Sequence, residues 1–126
     1  MHGVPANLDL EPLVGSSLIQ IGLGQYQIQL HFAGAGGTTR GSIAIEASWE
    51  LHGSDGALID HAQEHFEREC YRIHVLLGSE VSAFDIDSPR SFALSFASGH
   101  RLTIFDDSQQ YESFALHLPG RQSIYV

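Results

Sequence analysis

The chain has 126 residues, of which 43% are hydrophobic, a length and composition that suit one domain with a hydrophobic core. Fifteen acidic residues face six arginines and no lysine, so the formal net charge is −9. This balance excludes a basic nucleic-acid interface, and the missing lysine excludes a P-loop and Schiff-base chemistry. The sequence begins without a signal-peptide pattern and holds no apolar run near about 18 residues, so we expect a cytoplasmic protein with no membrane association.

The first half alternates between apolar and polar residues, the pattern of half-buried β-strands. The segment "YQIQLHF" shows it most clearly, with Ile28, Leu30 and Phe32 on one face and glutamines and a histidine on the other. Further strands are predicted around "SLIQIGL" before this segment, and at residues 43–45 and 49–51 after it.

One helix is predicted between the two halves, at about residues 60–77. Asp60 suits its N-cap, and Gly78 suits the residue that follows its last turn. The apolar stripe at helical spacing consists of Ala62, Phe66, Cys70, Ile73 and Leu77. This position makes Cys70, the only cysteine, a core residue rather than a nucleophile.

The second half repeats three short patterns of the first half, in the same order and at nearly constant spacing. The patterns "LVGS", "LHFA" and "SWELH" return as "LLGS", "LSFA" and "SFALH". We therefore predict an internal duplication that relates residues 13–52 to residues 76–117. Trp49 and Phe114 correspond in the two repeats, and both should be buried.

These elements predict a single α+β domain over residues 1–126. Most of it should be antiparallel β, with two pseudo-repeated meanders of about four strands flanking the one helix.

The order of the motifs resembles a widespread family of small uncharacterised bacterial proteins, a domain of unknown function. The resemblance covers most of residues 13–117 and is strongest over residues 76–117. It is carried by Leu76, Leu77, Gly78, Val81, Leu94, Phe96, Gly99, Leu102, Tyr111, Glu112 and Phe114. The resemblance implies a fold but no activity. Some proteins of this general size and acidity accompany secreted toxins as immunity proteins.

The segment "HAQEH" matches the H-x-x-E-H pattern of zinc proteases. On a helix, His61 and His65 would be one turn apart and could hold zinc, with Glu64 as the base. The apolar stripe turns these side chains toward solvent, however, and no third ligand is apparent. We therefore expect no metal site and no cofactor here, and a small metal-dependent hydrolase remains an alternative.

Two other histidines, His52 and His117, correspond in the two repeats. Both lie on the strand face opposite the apolar residues, so we interpret them as exposed strand histidines rather than as a shared metal site.

An acidic edge is predicted in the second half. If this half is a meander, the turn after Asp87 and the end of the strand before Asp106 lie at the same edge of the sheet. Asp85, Asp87, Asp106 and Asp107 would then converge and repel one another, an arrangement that suits a basic protein surface or a hard cation such as calcium.

The sequence thus favours a non-enzymatic binding protein, of the acidic immunity type, that engages a basic partner through this edge. The alternatives are the hydrolase and a purely structural or ligand-binding module without chemistry.

Overall fold

The computed structural model describes residues 3–62, 72–106, 114–120 and 123–126. Its regular structure in these residues consists of ten β-strands and three short 3-10 helices, at Glu11–Leu13, Ala35–Gly37 and Ile73–Leu76. The strands are β1 (Ser17–Leu23), β2 (Ile28–Ala33), β3 (Thr39–Ile45), β4 (Trp49–His52), β5 (Leu58–Ala62), β6 (Val81–Asp87), β7 (Ser91–Phe96), β8 (Arg101–Phe105), β9 (Phe114–His117) and β10 (Ile124–Tyr125). None of these 3-10 helices is long enough to cross a membrane.

The strands form two antiparallel sheets of five strands each. The first sheet has the order β1-β2-β3-β9-β10, and the second, followed from its opposite edge, has the order β6-β7-β8-β4-β5. Each half of the chain therefore supplies a three-stranded meander to one sheet and a two-stranded hairpin to the other sheet. The prediction of a mostly antiparallel β protein is confirmed, but among the described residues each half has five strands rather than about four, and only three of them form its meander.

The register of the strands is also the same in the two sheets. Leu30 of β2 lies opposite Ile43, and Leu94 of β7 lies opposite Leu102. β1 and β6 each carry a register shift at their start, between Leu18 and Gln20 and between Val81 and Ala83. The sequence motifs that prompted the predicted duplication therefore occupy corresponding places in the fold.

One hydrophobic core lies between the two sheets, because the apolar face of every meander turns inward. The side chains of Trp49 and Phe114, which correspond in the two halves, are both fully buried. Trp49 lies opposite Ile104 in the second sheet, and Phe114 lies opposite Ile45 in the first. The rings of Phe92 and Phe114 meet edge to face at 4.8 Å between centroids and join the two layers.

The two "L-x-G-S" motifs hold the starts of β1 and β6 together. Gly15 and Gly78 have positive φ angles of 87° and 82°, a conformation that glycine adopts without steric cost. The N–H of Gly15 donates to the carbonyl of Val81 at 2.8 Å, and the N–H of Gly78 donates to the carbonyl of Leu18 at 2.7 Å. The two hydrogen bonds are reciprocal, so each half fixes the first strand of the other half.

The predicted helix at residues 60–77 is wrong at both of its described ends, and with it the α+β class. Asp60 and Ala62 lie in β5, which pairs with β4, and Ile73 lies in a 3-10 helix of four residues. Leu77 is 46% exposed rather than part of an apolar stripe. Residues 63–71, the middle of the predicted helix, lie outside the described residues. The helical spacing combined apolar residues that belong to separate elements.

Asp60 does cap a helical segment, but one whose first N–H groups lie 12 and 13 residues further along the chain. Its buried carboxylate accepts hydrogen bonds from the N–H groups of Arg72 and Ile73, at the start of the 3-10 helix at Ile73–Leu76. Asp60 thus caps the 3-10 helix at Ile73–Leu76 and not, as the sequence predicts, a helix that begins at its own position.

Candidate functional site

Asp85 and Asp87 lie next to each other on the outward face of β6, an edge strand of the second sheet. Each carboxylate contacts an arginine. Asp85 Oδ2 is 3.1 Å from Arg101 Nη2, and Asp87 Oδ2 is 2.8 Å from Arg90 Nη2. The side chains of Asp85 and Asp87 remain 71% and 55% exposed, so both ion pairs are accessible from solvent.

Asp106 lies at the same end of the second sheet as Asp87, as the meander argument expects. Its N–H donates to the carbonyl of Arg90, which follows Asp87 in the same turn. Its carboxylate accepts the N–H of Gly3 at 2.6 Å and thereby fixes the N-terminal segment against the sheet. Asp107 lies outside the described residues.

The three described carboxylates of the acidic edge, Asp85, Asp87 and Asp106, thus each face a donor. Two face arginines and the third faces a backbone N–H. In the described part of the chain, no group of three or more histidine, cysteine, aspartate or glutamate side chains is placed to hold a metal ion. The geometry of these three residues is that of an exposed, partly neutralised acidic edge rather than of a cation site.

His61 lies on β5, where it is exposed and pairs across the strand with Glu50. Because β5 is a strand, His61 does not begin the helical turn that would bring two histidines of an H-x-x-E-H motif onto one zinc ion. Glu64 and His65 lie outside the described residues. The helical geometry required by the hydrolase hypothesis is therefore missing at His61.

A row of polar side chains crosses the outer face of the first sheet. Gln20, His31, Ser42 and His117 are successive Cα partners on β1, β2, β3 and β9. The row ends at Ser123, whose Oγ lies 2.7 Å from His117 Nδ1. The alternating pattern of the sequence predicts His31 and His117 on outer strand faces but does not bring them together, because the pairing of β3 with β9 joins strands from different halves.

The row forms the floor of a groove of about 430 Å³. Its walls include Ile19, Thr39, Leu118 and Pro119, and no charged side chain is among the described residues that line it. The ring of Tyr125 packs edge-on against His117, with 5.8 Å between centroids. A groove whose floor carries imidazole, hydroxyl and amide groups between apolar walls can bind an uncharged ligand through hydrogen bonds.

The second sheet has a corresponding groove of about 500 Å³ with different chemistry. The register places Ser95, Arg101 and His52 where the first sheet has His31, Ser42 and His117. Arg101 therefore lines this groove, and its guanidinium pairs with Asp85, which is not among the residues that line it. His52 Nε2 lies 3.8 Å from a carboxylate oxygen of Glu50. One groove is neutral and the other is charged.

Comparisons of the chain with protein-family models, with curated proteins and with solved structures find no match in any of the three. The resemblance to a family of small uncharacterised bacterial proteins therefore stays a hypothesis.

Proposed function

We propose that the protein is a non-enzymatic binding protein that engages a basic partner along β6. The observation that carries the proposal is the pair of exposed carboxylates, Asp85 and Asp87, on the outward face of an edge strand. Side chains two residues apart on a strand project from the same face about 7 Å apart. An extended basic segment that lies beside β6 can therefore present its own cations to both carboxylates.

The arginines that now contact these carboxylates do not prevent such binding. An exposed ion pair contributes about 0–1 kcal/mol, because solvent screens it and two long side chains must be ordered. A partner's lysine or arginine can therefore replace Arg90 or Arg101 at little cost. The chain's formal net charge of −9 would also attract a basic partner before contact. A basic toxin bound by an immunity-type protein is a partner of this kind.

A labelled peptide of alternating arginine and serine tests the proposal by fluorescence anisotropy at low and high salt. We expect the double variant Asp85→Asn, Asp87→Asn to weaken binding by about tenfold at low salt and by less at high salt. The matched control is Asp9→Asn, Asp55→Asn, which removes the same charge elsewhere. In the native chain, one carboxylate oxygen of each control residue accepts a backbone N–H two residues ahead, and asparagine keeps that oxygen.

Equal losses in the two double variants would show that the peptide responds only to net charge, and the β6 site would be wrong. Unchanged binding in the Asp85→Asn, Asp87→Asn variant would also contradict the proposal.

A second candidate function is binding of a small uncharged ligand in the groove of the first sheet. The specific observation is the hydrogen-bonded pair of His117 and Ser123 beside Ser42, in a groove lined by uncharged residues. A panel of neutral monosaccharides tests it by NMR titration of the histidine ring signals. Binding should shift the His117 signal in the native chain and be lost in Ser123→Ala. An unchanged His117 signal across the panel would argue against a sugar site.

We do not propose the hydrolase that would use His61, Glu64 and His65, because His61 lies on a strand.

A further inference from the structure

The outer edges of the two sheets differ in their protection against pairing with another strand. β1 and β6 occupy corresponding edges, and the register aligns Gly22 with Asp85, because these residues lie opposite Gln29 and Ala93. By the same register Gly24 corresponds to Asp87. Charged side chains on an edge strand oppose pairing with a strand of like charge, such as the same strand of a second copy. β6 has this protection, and β1 has none.

Exposed apolar side chains surround the unprotected edge. Ile19 and Leu23 of β1 are 58% and 60% exposed. Val75 and Leu77, in and directly after the 3-10 helix at Ile73–Leu76, are 42% and 46% exposed. An apolar groove of about 370 Å³ lies between the two elements and is lined by Ile21, Leu23, Ile73, His74 and Leu77. Beyond Leu18, no described residue pairs with the outer edge of β1, and an apolar patch beside such a strand edge is typical of an association surface.

The charge of the strand indicates what binds there. Residues 16–29 include no charged side chain, although the chain as a whole has a formal net charge of −9. A basic partner would find no carboxylate on β1. Two copies of this acidic chain, in contrast, repel one another least where their contact surfaces are uncharged.

We propose that β1 pairs antiparallel with β1 of a second copy and forms a twofold-symmetric dimer with a continuous ten-stranded sheet. Pairing centred on Gly22 places Ile21 opposite the partner's Leu23 and Leu23 opposite the partner's Ile21. An isologous contact of this kind uses the free edge of both copies and closes, so it does not continue into a fibre. A specific interface buries at least about 1,000 Å² in total, so the contact must include the exposed apolar side chains beside β1 in both copies as well as the two strand edges.

Sedimentation equilibrium over about a hundredfold range of protein concentration tests the dimer. The decisive variant is Gly22→Asp, which gives β1 the residue that β6 has at the corresponding position. A Cβ atom at Gly22 meets only the Gln29 side chain, at 3.6 Å and 3.9 Å, so the substitution fits the folded chain. Because the two new carboxylates would lie opposite each other, we expect the dimer dissociation constant to rise at least about a hundredfold.

Two control variants separate pairing from charge and from folding. Ala83→Asp adds the same charge to the exposed edge of β6 and should leave the dissociation constant unchanged. Gly22→Ala adds a side chain to β1 without charge and should still form the dimer. In the native dimer, amide hydrogen exchange should slow at residues 20–23 as the protein concentration rises, with no change at residues 83–86.

A native chain that sediments as a monomer throughout the range would overturn the proposal and leave the β1 edge to a strand from a different protein. Dimers that persist in Gly22→Asp, or that dissociate equally in Ala83→Asp, would show that β1 is not the interface. The variants leave Asp85 and Asp87 in place, so this experiment and the test of the β6 site fail independently.

Discussion

The two sheets share one backbone plan but present different surfaces. The inner faces of their meanders are both apolar, and the fully buried Trp49 and Phe114 occupy corresponding places. Their outer faces do not match: at the position of the neutral Ser42, the second sheet has Arg101, which pairs with Asp85. Burial constrains the inner faces, because one core must be filled. The outer faces are free of this constraint, so their differences are the best guide to what each sheet binds.

The comparison of the two sheets fails if Trp49 and Phe114 do not contribute equally to the core. We expect Trp49→Ala and Phe114→Ala to lower the free energy of unfolding by about 3 to 5 kcal/mol each, because both remove a fully buried ring from the shared core. Urea denaturation followed by circular dichroism measures both losses. A loss below about 1 kcal/mol at either position would show that the two halves do not contribute equally to the core.

A second test concerns a place where the halves differ inside the fold. Asp60 lies opposite Leu51, and the corresponding residue of the other half is Ile124, opposite Leu116. Asp60→Ala should cost about 1 to 3 kcal/mol, because the N–H groups of Arg72 and Ile73 would lose their acceptor.

Asp60→Asn keeps an oxygen at that place and should cost less than Asp60→Ala. Amide exchange at Arg72 and Ile73 should accelerate only in the alanine variant. Unchanged exchange there would contradict the capping role of Asp60.

A third test uses the paired glycines. Gly15→Ala and Gly78→Ala should each cost about 1 to 2 kcal/mol, because their positive φ angles disfavour any side chain. Thermal unfolding of both variants measures the cost. Gly22→Ala is the control: its φ is not positive, and it should be neutral or slightly stabilising. A large difference between the first two variants would mean that only one half depends on this junction.

The smallest effects concern the acidic residues. Asp106→Ala should cost about 1 kcal/mol, because the N–H of Gly3 loses its acceptor. Asp85→Asn should change the free energy of unfolding by less than about 0.5 kcal/mol, since its ion pair is exposed. Urea denaturation distinguishes the two. An equal effect in both variants would show that Asp106 does not anchor the N-terminal segment.

The sequence predicted the strands of the meanders well because their apolar residues alternate and their partners lie close in the chain. Leu94 and Phe96 of β7, for example, face the core, and a tight turn at Gly99 joins β7 to its partner β8. It also pointed to matching halves through the "LVGS" and "LLGS" motifs. These features depend on local spacing, which a single sequence displays directly.

The exchange of hairpins between the sheets, and the polar row with it, could not be predicted in the same way. The pairing of Ser42 with His117 joins residues far apart in the chain, and no local pattern encodes such a contact. The helix prediction for the segment that begins at Asp60 is wrong for a related reason. An aspartate followed by spaced apolar residues is typical of a helix, whereas pairing with β4 gives this segment the conformation of a strand.

The exchanged hairpins also constrain the order of folding. The first sheet lacks its last two strands until β9 and β10 have been synthesised, since these come from the end of the chain. A nascent chain that contains only residues 1–62 therefore exposes the edge of β3, and it has only β4 and β5 of the second sheet to cover the inner face of the first. Closing such distant contacts slows folding and leaves the early chain prone to aggregation. We infer that the two halves fold as one cooperative unit, and that neither half is stable when expressed alone.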